Sequence, residues 1–264
     1  MKIGFIGCGN MATAMLKGIL KSGEVEASDM IASAKSDKTR EKIEKELGIR
    51  KADTNVQVVD FADVVFLAVK PQFLEGVLDE IRDSVKAGQI FISIAPGKTL
   101  QWLGERLGEN TKVIRTMPNT PAMVGEGMTA LCVNELVTEE ETALAVKLCN
   151  TFGKTEVIPE HLMDAVVGVS GSSPAYVFMF LEAMADAAVA DGMPRAQAYK
   201  FAAQSVLGSA KLMLETGKHP GELKDMVCSP AGTTIQAVRV LEEKGFRSAV
   251  IEAQTECVKK ARGM

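Results

Sequence analysis

Gly7, Cys8, Gly9, Asn10, Met11 and Ala12 fit the pattern G-x-G-x-x-G/A, whose chemistry is the capture of a pyrophosphate. Gly7 permits a tight turn, Gly9 puts no side chain in the way of a phosphate, and Ala12 lets a helix pack closely on a strand. The N–H groups that open such a helix then face the anion. Alone, the pattern specifies little. Here a strand-like run ends at Ile6 directly before it and a helical pattern starts directly after it, which is the setting of a dinucleotide fingerprint. Roughly 20 residues further on, an NAD site carries an acidic residue for the ribose 2′-hydroxyl. This chain reads Ser33-Ala34-Lys35-Ser36 there, two hydroxyls and a cation that suit a 2′-phosphate. NADPH is therefore the expected cofactor, with NADH open, and Asp37 is read as opening the next helix.

A second constellation is Cys228-Ser229-Pro230-Ala231-Gly232-Thr233-Thr234, which precedes a helical pattern carrying Ile235, Val238 and Leu241. The spacing predicts a capping box between Thr233 and Gln236. Two readings stand side by side. These residues cap a helix and do nothing more, or the turn is a carboxylate site built from backbone N–H groups and the positive helix end, with threonine hydroxyls beside it. His161 and His219 are the only histidines, and neither belongs to an acid-base or metal constellation. There is no HExxH, no Cys/His cluster and no serine nucleophile elbow, and Cys228 reads as a packed small residue. A reaction that needs no strong protein base is expected. Reduction of an already protonated imine is one, because the protein need only orient the cofactor and hold the substrate's anionic group.

These turns need elements to hold them. Short apolar runs at residues 2–6, 30–34, 64–69, 90–94 and 113–117 read as strands buried on both faces. Stretches 11–21, 38–47 and 73–85 between them have helical spacing, so the expected class is α/β, a Rossmann-type doubly wound sheet. Ala68-Val69-Lys70-Pro71, Ala95-Pro96-Gly97 and Thr116 to Pro121 follow three of the strands and are the expected walls of a nicotinamide pocket. Further strands are expected at 128–133 and 155–158, with a helix over 139–151 opened by a Thr138/Glu141 capping box. From Glu160 the pattern is all-helical, over 174–191, 195–215, 220–227, 234–243 and 247–261. The expected domains are 1–159 for the dinucleotide and 160–264 for substrate and dimerisation. Helices so rich in Ala and Met are apolar nearly all round and must be covered, which predicts a homo-oligomer through the helical domain; a tight monomeric core is the alternative.

The 264 residues carry a net charge of −4, from 30 basic and 34 acidic side chains, and only 5% are aromatic. No basic surface or stacking platform for nucleic acid is expected. Five cysteines, an odd number with no CxxC pair, indicate a reducing, cytoplasmic setting, and the N-terminus has no signal-peptide pattern. The longest uncharged run, 165–181, falls short of the roughly 20 residues of a spanning helix, so no membrane association is expected.

Over nearly its whole length the chain resembles the pyrroline-5-carboxylate reductase family. The resemblance rests on IGFIGCGNMA, AVKPQ, RTMPNTPAMVGEG, SGSSPAYVFMFLEAMADAAVADGMPR and, most specifically, ELKDMVCSPAGTTIQAVRVLEEKGFRSA. It implies reduction of 1-pyrroline-5-carboxylate to L-proline by NADPH or NADH, the last step of proline biosynthesis, in a homodimer and often a larger ring such as a decamer. It places the Thr234 hydroxyl on the ring nitrogen as the catalytic contact and the substrate carboxylate in a cradle of Gly232, Thr233 and nearby N–H groups. It also implies polar contacts to the adenosine ribose or its phosphate from Ser33 and Asn55, a nicotinamide side at Val69, Lys70 and Pro71, and an acidic position at Glu160. Ser173, Ala231 and Pro96 depart from the family's usual glycine or alanine, adding bulk near the pocket. A related two-domain 2-hydroxyacid dehydrogenase or imine reductase is the alternative; a dehydrogenase of that kind needs a lysine that the SGSSPAY helix start lacks. A non-catalytic nucleotide-binding scaffold is a third reading, opposed by the intact SPAGTT turn.

Overall fold

A computed structural model of the chain describes residues 1–263, the Lys42 side chain excepted. Eight strands form one sheet: β1 (Ile3–Ile6), β2 (Met30–Ser33), β3 (Arg50–Ala52), β4 (Val64–Leu67), β5 (Ile90–Ser93), β6 (Lys112–Met117), β7 (Gly127–Val133) and β8 (Gly153–Val157). Strands β1, β2, β4 and β5 are buried at every position, as strands with helices on both faces must be. The order is β3-β2-β1-β4-β5-β6-β7-β8. All neighbours run parallel except β7, which is antiparallel to β6. The strand order reverses between β1 and β4, which opens the crevice where such sheets bind ligands.

Helices α1 (Asn10–Ser22), α2 (Asp37–Leu47) and α6 (Glu139–Cys149) cover one face, burying Met15, Leu16, Ile43 and Leu148 against Phe5 and Phe66. Those two phenyl rings stack at 4.4 Å. The other face takes α3 (Asn55–Phe61), α4 (Pro71–Ile81) and α5 (Leu100–Leu107), which bury Val58, Leu74, Leu78 and Leu103 against Val65 and Phe91. The chain's one tryptophan, Trp102 on α5, lies between two cations, Lys98 Nζ 4.1 Å and Arg106 Cζ 3.9 Å from its ring centre.

Three elements have no counterpart in the sequence pattern. Strand β3 is a three-residue edge strand, Arg-Lys-Ala, too short and too charged to show alternation. Helices α3 and α5 are short, yet α3 carries a legible start, a capping box between Thr54 and Gln57. The expected box at Thr138 and Glu141 is present. The expected box at Thr233 and Gln236 is not: the helix starts one residue earlier, with Gly232 as N-cap, and Gln236 Oε1 instead accepts from Arg239 Nε at 3.3 Å. Strand β4 ends at Leu67, so Ala68 and Val69 belong to the loop.

Contacts divide the chain into two compact units, Met1–Ser172 with the C-terminal segment from Val258, and Ser173–Cys257. The first extends past the expected boundary at Pro159 because the next stretch packs onto the sheet. Helix α7 (Met163–Val166) buries Met163 beside Ala130 and Cys132, and a single π-helical turn, Val167–Gly171, follows it. In the second unit lie α8 (Ser173–Ala190), α9 (Arg195–Thr216), α10 (Pro220–Val227), α11 (Thr233–Glu243) and most of α12 (Phe246–Ala261). Its fully buried apolar side chains, among the described residues, are Ala185, Ala198 and Ala202. Phe178, Met179, Phe201, Leu207, Leu214 and Ile251 are exposed. The helical stretch Glu160–Ala190 runs on past the uncharged segment and is, by length and composition alone, long and apolar enough to cross a membrane. The charge of Glu182 ends the apolar run but not the helix.

Candidate active site

Gly7 turns the chain off β1 at φ +96°, and a Cβ there would lie 2.7 Å from the Ala68 carbonyl oxygen. Only glycine fits this turn. Its N–H donates to the Ser33 carbonyl at 3.1 Å, tying the turn to the end of β2. Gly9 is a different case. Its φ is −75°, and a Cβ would meet nothing within 4 Å. The protein's own packing does not ask for glycine at this position, whereas a phosphate approaching the backbone does. Gly9 caps α1, its carbonyl accepting from Thr13 N–H at 2.9 Å. The N–H groups of Asn10, Met11 and Ala12 follow, in the first turn, where a helix supplies no acceptor. Ile6 and Cys8 are buried, with Cys8 Sγ 3.8 Å from Thr13 Oγ1, so both present backbone to the turn. Met11 is partly buried against the core.

Residues of this turn border two cavities. The first, about 420 Å³, is lined by Gly7, Ser33, Lys35, Asn55, Val69 and Phe73, among others. The second, about 400 Å³, is lined by Gly9, Asn10, Thr13, Lys38 and Thr39 with neighbours on α2. The structure thus brings together Gly7, Ser33, Lys35, Asn55 and Val69, five residues selected by sequence. Ser33 is buried and its hydroxyl donates to Asn55 Oδ1 at 2.7 Å. Lys35 Nζ lies 4.9 Å from the centre of the Phe73 ring. Ser36 is the N-cap of α2, accepting from Thr39 N–H, and Asp37 is the first helical residue, as expected. Arg40, absent from the sequence selection, lines the same cavity and pairs with Asp37 at 2.6 Å. An i,i+3 charge pair at a helix start was its only signal.

Lys70 and Pro71 open α4 as N-cap and first residue, a place suited to proline because its missing N–H is not needed there. Ala95 is buried, and its N–H donates to Ser93 Oγ at 3.3 Å. Asn119, within the Thr116–Pro121 stretch expected to wall the pocket, bridges this third loop: its Nδ2 donates to the Ser170 carbonyl at 3.0 Å and its Oδ1 accepts from Met128 N–H at 2.8 Å. Glu160 is engaged within the first unit. Its Oε1 accepts from Leu100 N–H at 2.7 Å and from buried Arg115 at 2.9 Å. The side chain selected as a substrate contact is therefore the counter-charge of a buried arginine.

The second unit holds the other turn. Helix α10 ends at Val227, and Ser229 accepts from Gly232 N–H at 3.0 Å through its carbonyl. Ala231 sits at φ +58°, the one non-glycine residue with positive φ among those described. A Cβ on Gly232 would collide with Ser229 Oγ, which that side chain can turn to relieve, and would lie 3.1 Å from the Ser229 carbonyl oxygen, so the turn favours glycine there. Because Gly232 brings no side chain to the cap, the first N–H groups of α11, at Thr233 and Thr234, stay open, with the two hydroxyls beside them. The side-chain cap that one of the two readings requires is not formed.

No group of three His, Cys, Asp or Glu able to hold a metal exists among the described residues. Burial pushes the Cys149 thiol up to about 12, and burial with the nearby Glu160 charge does the same to Cys132, so neither is a thiolate at neutral pH. What remains are two helix starts, at Gly9 and Gly232, whose N-caps bring no side chain to the first N–H groups. A glycine-rich turn at the reversal of a parallel sheet, above a cavity that offers hydroxyls and cations, defines a Rossmann-class nicotinamide-dinucleotide oxidoreductase.

Comparison with known proteins makes this particular. A family model for NADP oxidoreductase, coenzyme F420-dependent, matches residues 2–97, and one for pyrroline-5-carboxylate reductase dimerisation matches residues 160–264. The pyrroline-5-carboxylate reductase of Escherichia coli K12 is 56% identical over 260 residues, 98% of this chain and 97% of its own. The solved structure of a Coxiella burnetii pyrroline-5-carboxylate reductase superposes with a TM-score of 0.93 at 34% identity, covering 99% of this chain and 97% of that one. The Plasmodium falciparum enzyme, solved with NADP bound, gives 0.89 at 28% identity over 100% and 97%. The chain belongs to the pyrroline-5-carboxylate reductase family.

Proposed function

We infer that this protein is an NAD(P)H-dependent reductase that converts 1-pyrroline-5-carboxylate and a proton to L-proline, the closing step of proline biosynthesis. The observation that carries this reading is the open, side-chain-free start of α11 in a chain 56% identical to a known pyrroline-5-carboxylate reductase. The N–H groups at Asn10 and Met11, reached past Gly7 and Gly9, hold the dinucleotide's pyrophosphate. Ser33, Lys35, Asn55 and Arg40 line the adenosine-ribose end and favour NADPH, with NADH accepted. Val69, Lys70, Pro71 and Ala95 form the nicotinamide side. When bound, the reduced nicotinamide supplies the hydride. Ser229, Gly232 and Thr233 fix the substrate carboxylate by backbone N–H donors and the helix end, and the Thr234 hydroxyl fixes the ring nitrogen. No protein base is called for, because the iminium carbon accepts hydride directly.

The exposed apolar faces of α8 and α9 are covered by a second copy of the chain, giving a homodimer and, by extension, a larger ring such as a decamer. The same self-association accounts for the apolar stretch Glu160–Ala190 without a membrane, and nucleic acid has no place in the scheme. The five cysteines, none of them in a disulfide among the described residues, suit a reducing cytoplasm. The test is NADPH oxidation dependent on pyrroline-5-carboxylate, with proline as product; cofactor binding without turnover of this imine would overturn the reading.

A further inference from the structure

We propose that Glu80 sets the protein's choice between the 2′-hydroxyl and 2′-phosphate forms of its dinucleotide, by fixing which hydrogen-bonding groups Asn55 and Ser33 turn to the cavity. This rests on the reading that the cavity takes the adenosine ribose. Glu80 lies on α4 and lines that cavity. Its Oε2 accepts from Asn55 Nδ2 at 2.7 Å and its Oε1 from Asn55 N–H at 3.3 Å. A carboxylate only accepts, so the amide nitrogen must face Glu80 and the amide oxygen must face away. That oxygen takes the Ser33 hydroxyl proton at 2.7 Å.

The polarity of the whole chain Ser33–Asn55–Glu80 follows from one charge. The Ser33 proton is committed to Asn55, which leaves Ser33 Oγ and Asn55 Oδ1 offering lone pairs. A ribose 2′-hydroxyl, which can donate, is matched by that arrangement. A phosphate, which accepts, needs Ser33 to turn its proton outward and meets a carboxylate in the same wall. Lys35 and Arg40 oppose this with positive charge, but Asp53 shares the lining with Glu80, and Arg40 is held by Asp37 at 2.6 Å. The charged lining is thus two against two, which suits a site open to both dinucleotides. Sequence alone finds no carboxylate at the end of β2; the structure delivers one from α4.

Calorimetric titration of the full-length protein with ADP-ribose and with 2′-phospho-ADP-ribose, in the wild type and in Glu80→Gln, tests this. Steady-state kinetics with NADH and NADPH and a melting curve accompany it. Glutamine keeps an acceptor for Asn55 but removes the charge and can itself donate. The expected result is a shift of about 5- to 20-fold in the ratio of dissociation constants toward the 2′-phosphorylated ligand, on the scale of a like-charge contact removed at a partly exposed site. The KM for NADPH falls relative to that for NADH, with kcat for both nearly unchanged. If Glu80 served only to brace α3, both ligands would weaken by the same factor and the melting temperature would fall, which overturns the proposal. An unchanged ratio, or a shift toward ADP-ribose, overturns it equally. If the wild type binds neither ligand, the reading of the cavity falls and the proposal with it.

Discussion

The two units solve the burial problem in opposite ways. The first places two layers of large side chains against a sheet, with Phe5, Phe66, Phe91 and Phe152 wholly buried. The second fully buries three alanines and leaves phenylalanines, leucines and methionines on its surface. Burial of a large apolar side chain is worth about 1.5–3 kcal/mol and that of a methyl much less, so the first unit can hold itself together while the second draws on something outside the chain. A self-contained core frees its loops to bind a cofactor.

The sharpest test of that contrast is a pair of identical truncations. Phe66→Ala, at a side chain 0% exposed, is expected to cost about 3–5 kcal/mol by chemical denaturation, whatever the protein concentration. Phe178→Ala, at one 65% exposed, should cost a single chain less than about 0.5 kcal/mol yet make the melting temperature depend on concentration and shift sedimentation toward 28.2 kDa. If the Phe178 variant loses stability independently of concentration, the helical unit has a core of its own and the contrast fails.

The anion turns extend the comparison. Gly9→Ala is expected to leave folding intact, because its methyl meets no protein atom, and to weaken dinucleotide binding by about 10- to 100-fold. Titration with NADPH beside a melting curve separates the two effects, and unaltered affinity would remove Gly9 from the phosphate path. Thr234→Ala should lower kcat/KM by the equivalent of about 1–3 kcal/mol, the scale of a lost buried hydrogen bond, with the melting temperature held. Wild-type kinetics would take Thr234 out of the reaction. The smallest effect belongs to Ala231→Gly. Relief of a left-handed alanine is expected to stabilise the protein by about 1 kcal/mol, read as a small rise in melting temperature. A fall would mean that the stiffness of alanine in the unfolded chain matters more.

Elements with a strong period were legible in the sequence: the buried strands β1, β2, β4 and β5, the Gly7–Ala12 turn, and the five helices after Ser172. Strand β3 was not, because three residues cannot show alternation and its two charges lie at the sheet edge. Ser33 and Asn55 stand out singly, but the hydrogen-bonded chain Ser33–Asn55–Glu80 joins positions 22 and 25 residues apart and has no local pattern. Glu160 shows the converse. The family resemblance places it near the substrate, while its partner Arg115, 45 residues away, is found only in three dimensions. The capping-box spacing is present at Thr233 and Gln236, yet the helix begins a residue early, on Gly232, and the spacing goes unused.

The position of Trp102 has a practical corollary. The only indole in the chain lies in the first unit, clasped by Lys98 and Arg106, while both tyrosines, Tyr176 and Tyr199, lie in the second. Tryptophan emission on denaturation will therefore follow the sheet alone, and circular dichroism will register the helices of both. A lag between the two signals would time the melting of one unit against the other, with no label attached.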